Sequence, residues 1–131
     1  MEEEQVQEMP PEEEQPEITN QDKTIAALSY IVGFILSAVV LLTKEMSARP
    51  FQRYHAIQAL GFWVAVVLYE AVMGILACVI SATPLAPLAC CLWVAFFLPV
   101  VPIAYFAYRA YLGEYFDIPF LTNFMRQQGW L

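Results

Sequence analysis

The side chains best suited to chemistry crowd into one stretch, RPFQRYHAIQALGFW, residues 49–63. It holds Arg49, Arg53, Gln58 and the only histidine of the chain, His55. Arg49 and Arg53 are four apart and share a helix face, from which each can meet a lipid phosphate. His55 and Gln58 are three apart and are also neighbours on one face. A single histidine with no cysteine near it in sequence does not make a zinc-type site. His55 therefore reads first as a hydrogen-bonding group across a helix interface. A pigment or haem ligand and a proton relay are the sharper alternatives.

Glu70 is the second anomaly, because it falls inside a long apolar run. A carboxylate at mid-bilayer depth costs a few kcal/mol, so it is expected to face protein or to carry a proton. Gly74 and Ala77 lie on its face and permit close approach of another helix. Pro99 and Pro102 lack an N–H, act as helix-kink positions, and free the carbonyls of Ala95 and Leu98 as possible acceptors. Tyr30 and Ser37 are other candidate partners. A structural hydrogen bond, an ion or proton pathway and contact with another subunit all fit such a residue. Gly33 with Ser37, and Gly61 with Ala65, are small pairs at helix-packing spacing. The cysteines are Cys78, Cys90 and Cys91. They read as buried thiols, with a disulfide from Cys78 to Cys90 or Cys91 as the alternative. CxxC spacing is absent, so neither a redox motif nor a metal is indicated.

Other catalytic patterns are missing: no glycine-rich phosphate loop, no HExxH, no GxSxG. The six Lys and Arg are too few for nucleic acid. These absences point away from an enzyme and from any cofactor.

The elements that must position these groups are legible from composition. The 131 residues are 60% hydrophobic, above the roughly 45–50% of soluble domains. Nine of the thirteen acidic residues lie in residues 1–22, where there is no Lys or Arg. That stretch reads as a disordered acidic tail, either solubilising or an arm for a basic partner. Three blocks follow, about 24–43, 56–80 and 88–112, apolar all round and each long enough to cross a roughly 30 Å hydrocarbon core. The expectation is an all-α membrane protein. A three-helix transmembrane domain would span 23–114, and an aromatic-rich interfacial segment 115–131. A fourth or re-entrant segment is the alternative.

With three spans, the 44–55 loop and the C-terminus share a side. That side carries Lys44, Arg49, Arg53, Arg109 and Arg126 against Lys23 on the other. The positive-inside rule places it in the cytoplasm and the N-terminus outside. The membrane would be a bacterial inner membrane or an organelle inner membrane, with anionic headgroups as one partner.

The string FQRYHAIQAL resembles a signature of a family of small membrane proteins that includes the twenty-kilodalton channel subunit of the chloroplast Tic translocon and its bacterial relatives. KTIAALSYIVGF and AYRAYLGEYFDIPFL are similar to its opening and closing segments. The resemblance runs from about Asp22 to Leu121, and Arg53, His55 and Gln58 fall on its signature. It implies protein translocation or membrane-complex assembly. The physical alternative is an accessory subunit of a larger respiratory or photosynthetic complex, because three helices enclose little. Either way, protein partners or a homo-oligomer are expected.

Overall fold

The computed structural model describes residues 16–131. The acidic residues 1–15, and with them most of the expected disordered tail, lie outside the described residues. Helices are α1 (Asn20–Val32), α2 (Phe34–Leu42), α3 (Lys44–Ser47), α4 (Pro50–Ser81), α5 (Ala89–Phe96), α6 (Val100–Tyr111) and α7 (Leu121–Gln127). No strand occurs among the described residues.

α4 starts with Pro at its first position, where the missing N–H costs nothing, and runs 32 residues. At 1.5 Å per residue it is about 48 Å long, more than a bilayer core requires. A short turn through Thr83–Leu88 reverses the chain, and Ala86–Tyr111 returns antiparallel. Both segments have the length and hydropathy to cross a membrane, and neither apolar stretch is buried inside the protein. Val67, Val72 and Ile75 on α4, and Val94, Phe97 and Val101 on the return, are more than half exposed. That much exposed apolar surface calls for lipid. The return is interrupted at Phe97–Pro99, beside the two prolines.

The first apolar block departs from the expected crossing. It breaks at Gly33 into two short helices, and the second doubles back on the first. The Ser37 hydroxyl donates to the Gly33 carbonyl and reaches the Ser29 carbonyl at 3.5 Å. In a straight helix those eight residues would span about 12 Å. At the far end, Arg49 is bonded to Asp22. Had α1 and α2 run on in line, Leu42 would lie about 30 Å from Asp22, beyond the reach of the partly helical 43–48 link. Residues 24–43 therefore form a helical hairpin with its tip at Gly33. Two helices are long enough to span, not three.

The hairpin also decides which segments of the chain share an end. The start of α1, the 43–49 loop, the end of α6 and α7 all lie at one end. The N-terminal approach does not lie opposite the basic loop. Asp22, counted above with the acidic tail, is a helical residue and is buried.

Packing at this end rests on small residues. Ala26 and Ala27 of α1, Ala56 and Ala59 of α4, and Ala107 and Ala110 of α6 are all buried. Lacking bulk, they let three backbones approach closely, the usual means of helix association in lipid. The segment after α6 does more than lie on the surface. Phe116, Ile118, Thr122 and Met125 are buried, and the Met125 methyl occupies the space a side chain at Gly61 would need.

Candidate functional site: a buried polar cluster

His55, Gln58, Gln52, Tyr30, Asp22 and Thr122 are each at most 2% exposed. Their spacing explains why they meet. Gln52, His55 and Gln58 fall three apart along α4 and line the face that α1 covers. Tyr30, on α1, reaches that face.

The Tyr30 hydroxyl lies 3.2 Å from His55 Nδ1 and 3.2 Å from Gln58 Oε1. The Gln58 amide donates to the Phe116 carbonyl and to Thr122 Oγ1, both at 3.0 Å. His55 Nε2 lies 3.0 Å from the Glu114 carbonyl, which can only accept, so that nitrogen carries a proton. Neutral His55 then presents Nδ1 as an acceptor. The Tyr30 hydroxyl has one hydrogen for two acceptors, Nδ1 and Oε1. Phe51, Tyr54, Tyr115 and Phe116 surround the imidazole ring.

The backbone carbonyls Glu114 and Phe116 reach this cluster because Gly113 ends α6 at φ +82, a conformation open to glycine. The turn into α7 then passes through Phe120 at φ +65. With its ψ of −45, a non-glycine residue there is strained by roughly 1–3 kcal/mol. The turn delivers Thr122, whose Oγ1 also accepts from the Ile118 amide at 2.8 Å.

Around the cluster lie ion pairs. Asp22 accepts from Arg49 and Gln52 and, in a capping box, from Thr19. Burial works to raise its carboxyl, but the hydrogen bonds of Arg49, Thr19 and Gln52 outweigh it and hold the group below the ordinary aspartate value of 3.8. A carboxyl lowered on folding stabilises the fold above its unfolded value, and that contribution is lost as pH falls through the folded value. Thermal unfolding in mild detergent should thus show a loss of stability below about pH 4. Asp22→Asn should be less stable at neutral pH and flatter in this acid range. An unchanged acid limb would remove Asp22 from the account.

Arg109 pairs with Glu114 at 2.7 Å, and Arg126 with Asp117 at 2.9 Å. The Tyr54 hydroxyl adds a bond to Asp117 at 2.8 Å.

The residues singled out from sequence thus separate. His55 and Gln58 sit at the centre of the cluster. Arg49 does not share a lipid-facing role with Arg53, because Asp22 holds it. Arg53 is exposed. Glu70 is about 26 Å along α4 from Arg53 and takes no part in the cluster. The Ala95 carbonyl proposed for Glu70 accepts instead from the Tyr69 hydroxyl at 2.8 Å. Tyr30 serves His55 and Gln58, and Ser37 serves its own hairpin. Cys78, Cys90 and Cys91 are free and exposed on the apolar surface, neither buried nor paired. Asp22, Tyr30, Gln52, Tyr54 and Thr122 were missed as a set. Only the three-residue spacing of Gln52, His55 and Gln58 signals them in the sequence.

These features define a class: a small helical membrane protein with two apolar helices long enough to span and one end closed by a buried polar cluster. Within that class, the chain belongs to the magnetosome magnetite crystal formation protein family (MamF/MmsF), whose model matches residues 21–125. The match takes in the hairpin, both long helices and most of α7. No curated protein and no solved structure matches the chain. The family overturns the resemblance to the Tic channel subunit. With it go protein translocation and the alternative of an accessory subunit in a respiratory or photosynthetic complex. The FQRYHAIQAL motif that carried the resemblance encodes the α4 face of the polar cluster.

Proposed function

We propose that this chain is a non-catalytic integral protein of the magnetosome membrane that acts in magnetite crystal formation. The family match over residues 21–125 carries that reading. The lipid-ready exposure of the two long helices supports the membrane location. A structural role for the cluster is supported by its bonding. The imidazole nitrogens and the Gln58 amide are turned into other groups of the chain.

The orientation we propose puts the charged end in the cytoplasm. All six bases, Lys23, Lys44, Arg49, Arg53, Arg109 and Arg126, lie at that end, and the Ala82–Leu88 turn has no charge. The positive-inside rule then favours two crossings and a half-inserted hairpin, with α1 entered from the cytoplasmic side. Anionic headgroups meet Arg53 there. Among the described residues, the opposite end presents the uncharged Ala82–Leu88 turn.

Deleting the coding sequence from a magnetite-forming cell should change crystal size or number by electron microscopy, and the full chain should restore it. Unchanged crystals would defeat the proposal. Topology is read separately on intact magnetosomes, in a background with the native cysteines changed to serine. Asn20→Cys and Ser47→Cys should both react with a membrane-impermeant maleimide, and Thr83→Cys should not. Opposite labelling of Asn20→Cys and Ser47→Cys would rule out the hairpin topology.

A further inference from the structure

Among the described residues, the protein is wide at one end and thin at the other. No residue from Leu60 to Phe106 is buried. Over most of that length α4 runs beside α5, with apolar side chains exposed on both. At the other end α1, α2, α4 and α6 pack together. Leu121 and Met125 of α7 join them there, against Gly61.

The hairpin sets where the change in width falls. Its tip rests at Trp63, whose indole donates to the Tyr30 carbonyl at 3.0 Å and whose ring lies against Gly33. Beyond Trp63, about 27 Å of α4 remain before Ser81. One leaflet's share of the hydrocarbon core is about 15 Å. The hairpin therefore ends within the leaflet it enters. It is built to sit in lipid, since residues 24–43 carry no charge. Ile31, Val32, Phe34 and Ile35 at its tip are each more than half exposed. Phe120 and Phe124, beside α7, are exposed in the same half.

Two helices more in one leaflet than in the other add roughly 160 Å² of cross-section, at about 10 Å across each helix. Insertion into one leaflet alone makes membrane binding sensitive to curvature. The expanded leaflet is relieved when it lies on the convex side. From the one-leaflet hairpin and the thin α4–α5 half beyond it, we infer that this chain is a wedge that favours curved bilayers. The leaflet holding the hairpin is the convex one. This shape rests on the membrane reading above and not on the role in crystal formation. With the orientation proposed above, the convex face is the cytoplasmic one, as on any closed compartment inside a cell.

The test reads orientation against vesicle size. Full-length Ser47→Cys protein, with the native cysteines changed to serine, is reconstituted at low protein-to-lipid ratio. The lipid is phosphatidylcholine, so headgroup charge does not orient the chain. An impermeant maleimide then counts chains with the wide end outward. The outward-to-inward ratio should be about threefold higher in small sonicated vesicles than in large extruded ones. Ile31→Asn with Ile35→Asn should abolish that size dependence, because the carboxamides draw the tip out of hydrocarbon. This variant leaves the bulk outside the membrane unchanged. An unaltered unfolding midpoint in detergent shows that it folds; if it does not, Ile35→Asn alone, at the most exposed of the four tip residues, takes its place. A ratio independent of vesicle size would overturn the proposal. So would a size dependence that the asparagine variant keeps, since bulk outside the membrane would then be the cause. Size-dependent insertion with normal crystals after deletion would keep the wedge and remove the crystal role; the opposite pair of results would do the reverse.

Discussion

Gln58→Glu should be the most damaging conservative change in the protein. The side chains are nearly the same shape, so packing is not at issue. The Gln58 amide nitrogen donates to the Phe116 carbonyl and to Thr122 Oγ1, and its oxygen faces the Tyr30 hydroxyl. A carboxylate in its place turns an acceptor onto the Phe116 carbonyl, in a position that is fully buried. Gln58→Leu loses three hydrogen bonds, at about 1 kcal/mol each, for roughly 3 kcal/mol in all. It leaves few groups stranded, because Tyr54 still serves the Phe116 carbonyl and the Ile118 amide still serves Thr122. Gln58→Glu adds an uncompensated buried charge and should cost more than about 4 kcal/mol. Denaturant titration in detergent micelles reads both. If the glutamate variant proved as stable as the leucine one, the hydrogen-bond directions assigned here would be wrong.

Gly33→Val should be the second large effect. The φ of +81 and ψ of −136 at Gly33 are glycine territory, costing another residue roughly 1–2 kcal/mol. A Cβ there would also lie 2.6 Å from the Trp63 ring, which the Tyr30 carbonyl fixes in place. Overpacking of that kind adds about 1–3 kcal/mol, for a total near 3 kcal/mol. Trp63→Ala in the same chain should relieve the steric part and leave the dihedral part, so the two changes should be less than additive. Strict additivity would mean that the hairpin tip does not rest on Trp63.

The two predictions probe the parts that differed most in legibility. That residues 56–80 and 88–112 form lipid-exposed helices was open to reading from the sequence. Uninterrupted apolar runs of that length have few other stable solutions, because every backbone group must be satisfied within the segment. The break near Pro99 was readable for a related reason, since proline inside a helix removes a backbone hydrogen bond. The first block defeated the same reasoning. Residues 24–43 have the length and composition of a span, and length alone cannot register a reversal at one glycine. The reversal depends on a tertiary contact, Trp63 against Gly33, and on Asp22 finding Arg49 27 residues later.

The polar cluster divides in the same way. The sequence by itself placed His55 and Gln58 on one helix face and read His55 first as a hydrogen-bonding group across a helix interface. Only the tertiary structure decided what they bond to. Their partners are Tyr30 from the hairpin, two carbonyls released after Gly113, and Thr122 of α7. Helical periodicity acts over three or four residues, so it reports which groups share a face. Partners that arrive from 25 to 64 residues away are chosen by how the helices fold back on one another, and no local pattern records that choice.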